Sequence, residues 1–202
     1  LRDKMIFSMG EADWDDVVGV HLKGHFCPTR HAAAYWRSQA KAGEEVDARI
    51  INTASPSGLY GNVGQANYGA AKAGIASFTL VCALELGRIG VTANCLAPTA
   101  LTRLVTPLMG GDENIPDDLR ERLAPRWVAT VGTWLASPEA RHVTGRVFDV
   151  RGDTIAVAEG WHRGPEGTNP GDPAGAGEVI EHLLRSARAN GDLDGRDDPD
   201  RF

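Results

Sequence analysis

Ala48-Arg49-Ile50-Ile51-Asn52-Thr53-Ala54-Ser55-Pro56-Ser57-Gly58, continued after a short loop by Gln65-Ala66-Asn67-Tyr68-Gly69-Ala70-Ala71-Lys72-Ala73-Gly74, sets the architecture. Its first six residues are short, apolar at Ile50 and Ile51, and bounded by charged residues before and Pro/Gly after. That is the pattern of a strand buried in a parallel sheet. An apolar helix from Asn67 to about Gly87 follows, then a second strand at Val91 to Leu96, a helix at Val128 to Leu135 and a last strand at Gly145 to Val150. Strands alternating with helices predict an α/β fold with a doubly wound parallel sheet.

Upstream, Ser8 and Glu11 have the capping-box spacing. Trp14, Val17, Val18, His21, Leu22 and Phe26 then recur at helical intervals. Gly19, Gly24 and Pro28 weaken that helix, so a bend or break is expected between about His21 and Pro28. Downstream of Trp161 the composition shifts to Gly, Pro, Asp and Asn, with 5 Arg against 9 Asp/Glu from His162 to Phe202, a net of −4. Residues 1–161 therefore read as one unit and 162–202 as an acidic tail. Within the tail, Glu178 to Ala189 has one apolar helical face, and Asp192 to Phe202 is expected to be disordered.

Tyr68 and Lys72 stand at i and i+4, which share a helix face, and Ser55 can approach the same point from the end of the preceding strand. A free phenol titrates near ~10. An ammonium ~4 Å away, at an effective dielectric of ~20, contributes ~4 kcal/mol, about what a tyrosine needs to act as a base near neutrality. The trio thus supplies the parts of an alcohol/ketone redox site. The plainer alternative is a Tyr68/Lys72 surface pair beside a turn serine.

The chain has 202 residues, 42% hydrophobic, a formal charge of −6 and a pI near 5.5. An acidic balance without a Lys/Arg cluster argues against nucleic acid as a partner. Cys27, Cys82 and Cys95 are spaced for neither a disulfide framework nor a zinc site. No apolar run is read as reaching the ~20 residues that span a bilayer, and Leu1-Arg2-Asp3-Lys4 lacks signal-peptide order. A cytoplasmic protein with neither a metal nor a membrane partner is expected.

The run Ile51 to Gly74, with Val91-Thr92-Ala93-Asn94-Cys95-Leu96-Ala97-Pro98 after it, resembles the active-site half of short-chain dehydrogenases/reductases. Tyr60-Gly61-Asn62-Val63-Gly64-Gln65-Ala66-Asn67-Tyr68, Pro125-Arg126-Trp127-Val128-Ala129 and Val147-Phe148-Asp149-Val150 are most similar to the hydroxyacyl-CoA dehydrogenase domain of peroxisomal multifunctional enzymes. The resemblance implies a NAD(P)-dependent oxidoreductase on a Rossmann-like sheet. Tyr68 would be the general acid/base, Lys72 would lower its pKa and bind ribose hydroxyls, and Ser55 would orient the carbonyl oxygen. His21 stands where the family usually has Asn, in Val20-His21-Leu22-Lys23-Gly24, as a proton shuttle or a core residue. Pro98, Thr99, Ala100 and Thr102 match the loop along the nicotinamide carboxamide, with Thr99 in place of glycine. Arg103, Arg120, Arg122 and Arg126 flank the substrate side, either meeting an acyl-CoA phosphate or lying solvated on a lid.

The glycine-rich pyrophosphate turn and the ribose-selecting residue of such folds are not in the sequence, so a partial sheet lacking its N-terminal strands is expected, and the choice of NAD or NADP stays open. A small hydroxy/keto substrate and a homodimer or homotetramer are further implications. The rival reading is a non-catalytic interaction protein or truncated fragment, assembling through the face around Phe26, Ala33, Ala73, Phe78 and Leu80.

Overall fold

The computed structural model describes residues 1–103, 105–106, 110–111 and 114–200. A short 3-10 turn at Ile6–Ser8 leads into α1 (Glu11–Val18), a π-helical turn (Gly19–Lys23) and α2 (Gly24–Lys41). β1 (Ala48–Thr53), α3 (Pro56–Leu59), α4 (Ala66–Leu86) and β2 (Val91–Thr99) follow. Then come α5 (Asp117–Arg122), α6 (Arg126–Ala136), β3 (Val147–Arg151), β4 (Thr154–Ala158) and α7 (Pro173–Ser186).

The sheet order is β1-β2-β3-β4, with β1, β2 and β3 parallel and β4 antiparallel to β3. β2 is central and buried from Val91 to Ala97. One sheet face packs on α4: Ile75 and Ala76 meet Ala54, Cys95, Ala97 and Val147, while Cys82 and Ala83 meet Ile50, Val91 and Ala93. The other face packs on α6, where Val131 and Leu135 meet Leu96 and Val150. Each Ile, Val and Leu among these side chains stabilises the fold by roughly 1.5 to 3 kcal/mol.

Several expectations change here. The α1 N-cap is Gly10 rather than Ser8, because Asp13 Oδ2 accepts from the Gly10 N–H at 3.0 Å. The break takes the form of the π-turn, and Pro28 is accommodated inside α2. β3 is not the last strand: a Gly152-Asp153 turn returns the chain as β4, which makes the sheet mixed. α7 begins at Pro173, capped by Asp172 Oδ1 accepting from Gly175 N at 2.9 Å.

The tail beyond Asn190 is folded back as far as residue 200. Asp192 N donates to Arg196 O at 2.7 Å, Asp198 N to Asn190 O at 3.0 Å, and Arg151 pairs with Asp194 at 2.5 Å. Gly195, at φ +76°, lies so close to the Tyr60 ring that a Cβ there would sit 2.9 Å from the phenol oxygen. Arg201 and Phe202 lie outside the described residues. The bilayer expectation is also corrected, since Ala66–Ile89 is 24 residues with mean hydropathy 1.4, long and apolar enough to span one. In this fold the helix instead lies on the sheet and turns Asn67, Lys72 and Thr79 inward.

Candidate active site

Ser55 follows β1 by two residues and N-caps α3, its Oγ accepting from Ser57 N at 3.2 Å. Gly58 lets α3 lie against α4, for a Cβ there would come within 2.6 Å of the Ala73 nitrogen. That close approach brings the Ser55 hydroxyl into hydrogen-bonding reach of the Tyr68 phenol. Asn67, fully buried, fixes the start of α4: its Nδ2 donates to Asp13 O at 3.0 Å and Arg2 O at 3.2 Å, and its Oδ1 accepts from Tyr68 N at 2.7 Å.

One turn on, Lys72 is 5% exposed, and its Nζ donates to Thr53 O at 2.8 Å while lying 5.6 Å from the Tyr68 ring centroid. His21, on the π-turn, meets the same tyrosine edge-on at 5.0 Å between centroids. Ser55, Tyr68 and Lys72 are therefore brought together, as their spacing implied, and His21, which only the family resemblance placed with them, lies against Tyr68 as well. The surface-pair alternative fails because Lys72 and Ser55 are buried.

The electrostatics depart from the expected scheme. Burial pushes the Tyr68 phenol above its ordinary range, the Ser55 hydrogen bond opposes this, and the Asp3 carboxylate adds to the rise. Lys72 does not set the direction here, since desolvation of a phenolate outweighs an ammonium that is turned toward Thr53 O. Burial pushes the Lys72 ammonium below its ordinary range, opposed by Cys95. His21 is also held below the usual imidazole range, by burial first and then by Lys72, the N-terminal amine and His25. Such a ring favours its neutral form, suited to passing a proton.

Pro98 and Thr99 extend β2 rather than opening a loop, pairing with Val150 and Arg151 of β3. Ala100 and Thr102 come next, and the Thr102 carbonyl accepts from Val105 N and Thr106 N at 2.9 Å. Pro98 and Thr99 thus end β2, and Ala100 and Thr102 leave the sheet at its carboxyl end, the end that also carries Ser55 after β1. Arg126 pairs with Glu121 and stacks on Trp127 at 4.9 Å, and Arg120 lies 3.9 Å from Asp117.

A phenol, an ammonium and a hydroxyl converging at the carboxyl end of a parallel sheet fit the nicotinamide-ribose end of a dinucleotide. Among the described residues there is no glycine-rich strand-turn-helix for the pyrophosphate end. Thr53 and Asn67 are participants that the sequence reading missed. The adjacency of Asn67 to Tyr68 was the available signal for one of them.

The family model described as "short chain dehydrogenase" matches residues 1–110. Hydroxyacyl-CoA dehydrogenase ChsB1 of Mycobacterium tuberculosis is 45% identical over 163 residues, 80% of this chain and 51% of that protein. Peroxisomal multifunctional enzyme type 2 of Mus musculus is 37% identical over 163 residues, 81% of this chain and 20% of that protein. A crystal structure of a short chain dehydrogenase from Mycobacterium avium superposes with a TM-score of 0.82 at 49% identity, covering 94% of this chain and 62% of that one. The chain spans about half the length of the ChsB1 relative it matches, 51%. The matched segment contains the half-buried Tyr68 with the buried Ser55 and Lys72 beside it, and the chain belongs to the short-chain dehydrogenase/reductase family.

Proposed function

We propose that this chain carries the acid/base centre of a NAD(P)-dependent oxidoreductase that interconverts a secondary alcohol and a ketone, with 3-hydroxyacyl and 3-oxoacyl thioesters as the substrate class. The observation that carries the reading is the Ser55 hydroxyl set beside the Tyr68 phenol, whose ionisation it favours, with the Lys72 ammonium buried next to the ring. The thioester class is supported by the hydroxyacyl-CoA dehydrogenase named among the relatives.

A nicotinamide held at this site would supply or accept the hydride. Ser55 donates a hydrogen bond to the substrate oxygen and holds it beside the Tyr68 hydroxyl. Tyr68 gives its proton to that oxygen in reduction and takes it back in oxidation. Lys72, fixed by Thr53 O, places a positive charge next to the phenolate that results. Pro98, Thr99, Ala100 and Thr102 would hold the carboxamide end of the cofactor.

The test is ketone reduction by the full chain, followed spectrophotometrically with NADH and NADPH. Tyr68→Phe is expected to lower turnover by roughly 10²- to 10⁴-fold while leaving cofactor binding intact. Unchanged turnover in that variant rejects the assignment.

We also infer that the outer faces of α2 and α4 pair with a second copy. Phe26 of α2 and Phe78 of α4 contact each other at 6.4 Å between centroids, and Phe26 on α2 and Leu80 and Leu84 on α4 are exposed. A monomer in sedimentation equilibrium at micromolar concentration would exclude this.

A further inference from the structure

The first four residues of the chain lie against the loop that opens α4, and they bring a carboxylate to the acid/base centre. Lys4 N donates to Gly64 O at 2.8 Å, and Asn67 Nδ2 donates to Arg2 O at 3.2 Å. Between these two ties, Asp3 Oδ2 accepts from Gln65 Nε2 at 2.8 Å, and Gln65 Oε1 accepts in turn from Asn62 Nδ2 at 3.0 Å. Gln65 is the N-cap of α4 and Tyr68 is the third residue inside it. Side chains at those two positions adjoin, as they do in a capping box. A carboxylate bonded to the Gln65 amide therefore stands near the phenol, and its charge is felt there.

That charge is not cancelled by its neighbours. The two cations flanking Asp3 in the chain are engaged on α1, Lys4 with Asp13 at 2.7 Å and Arg2 with Asp16 at 3.7 Å. Asp3 itself is held by a neutral amide, which orients a carboxylate without neutralising it. Also facing the phenol are the Lys72 ammonium, 5.6 Å from the ring centroid, the His21 ring at 5.0 Å and the Ser55 hydroxyl. Lys72 is turned toward Thr53 O, and His21 favours its neutral form. Among the described residues Asp3 is the carboxylate whose field bears on the phenol, and the reacting carbonyl must sit at that phenol.

We propose that Asp3, held by Gln65, is a specificity-determining residue that makes the site select uncharged ketones, thioesters among them, against ketones that carry a carboxylate next to the carbonyl. This deepens the function proposed above and rests on it. A carbonyl bonded to Tyr68 brings any carboxylate two bonds away into the field of Asp3, where like charges repel. A thioester in the same place presents no charge. Because Asp3 is exposed, water and salt screen part of the effect.

The experiment measures kcat/KM in the full chain for two probes with the same acyl group, free 3-oxobutanoate and its uncharged N-acetylcysteamine thioester. The wild type is expected to prefer the thioester. Asp3→Asn keeps an acceptor for Gln65 and removes the charge, and it is expected to raise the ratio of free acid to thioester about fivefold. Asp3→Glu keeps the charge and is expected to keep the wild-type ratio. An unchanged ratio in Asp3→Asn overturns the proposal, and so does an equal shift in Asp3→Glu, which would assign the effect to fit rather than to charge. The ¹³Cζ resonance of Tyr68, assigned by its loss in Tyr68→Phe, gives a readout independent of turnover. Removing a negative charge favours the phenolate, so Tyr68 should ionise at lower pH in Asp3→Asn than in the wild type; an unmoved titration overturns the proposal. A titration that moves in protein that reduces no ketone retains the Asp3 field and refutes the proposed function instead.

Discussion

α4 and α7 are both helices with an apolar stripe, and they are held in opposite ways. The buried stripe of α4 runs through Asn67, Ala71, Lys72, Ile75, Ala76, Thr79, Cys82 and Ala83, so three of its eight buried residues are polar. Each of the three is bonded: Asn67 to Asp13 and Arg2, Lys72 to Thr53, and Thr79 to Asn52 at 2.8 Å and to Ile75 O at 2.8 Å. α7 buries no residue fully; Val179 and Leu183 rest near Gly167 while Ile180 and Leu184 face outward. Polar groups inside a core cost stability unless paired, and on α4 every one of the three is paired. α7 is tethered by side chains that could change with little consequence.

The comparison can be broken most sharply at Gly58. Gly58→Ala drives a methyl into the backbone of Ala73 and Lys72 and is expected to cost about 3 kcal/mol, measured by urea unfolding, together with most of the activity. Retention of both would mean that α3 and α4 are not locked together. Next is Asn67→Ala, which strips partners from Asp13 O, Arg2 O and Tyr68 N; about 2 kcal/mol should be lost on the same assay.

A smaller effect belongs to the C-terminal side. Tyr60 Oη donates to Asp149 Oδ2 at 3.1 Å, and the phenol is pushed up to about 12, by burial first and then by Asp149. Burial likewise raises the Asp149 carboxyl, against the Tyr60 hydrogen bond and Arg151. A carboxyl raised in the folded state binds its proton more tightly there than in the unfolded chain. Its contribution is therefore fully present below the unfolded value, near ~3.9, and is lost as pH rises through the folded one. Asp149→Asn keeps an acceptor for Tyr60 and should flatten that acid-side slope in urea midpoints; an unchanged slope would show that another group causes it. The smallest effect is expected on α7, where Leu184→Ser should shift stability by no more than about 0.5 kcal/mol. A loss several times larger would make α7 as integral as α4.

Much of the α4 side was legible because strong local signals agree there. The β1 run, the Tyr68/Lys72 spacing and the apolar helix between two strands point to one arrangement, and the structure has it. The convergence of Ser55 was also readable, but its cause was not, since the fit of Gly58 against Ala73 joins surfaces that no periodicity reports. β4 escaped notice because Ile155 and Val157 lie on an edge strand, although the two-residue Gly152-Asp153 link between apolar runs is a hairpin signal. The start of α7 was hidden by Ala174-Gly175-Ala176-Gly177, too small to show a period, while Asp172-Pro173 marked it. Tail order was missed because composition weighs neither the Arg151–Asp194 pair nor the seat of Gly195 on Tyr60.

The π-turn at Gly19–Lys23 has a bearing on how this polypeptide tolerates change in length. A π-turn winds one residue more into a turn than an α-helix does, so excising a single residue from it would close it to an ordinary helical turn while α1 and α2 kept their relative setting. The same excision from the regular part of α1 or α2, where each residue advances ~100°, would rotate everything beyond it out of place. The turn is thus the one point of this long helix where a change of one residue in length falls mainly on the bulge itself, which carries His21 against Tyr68.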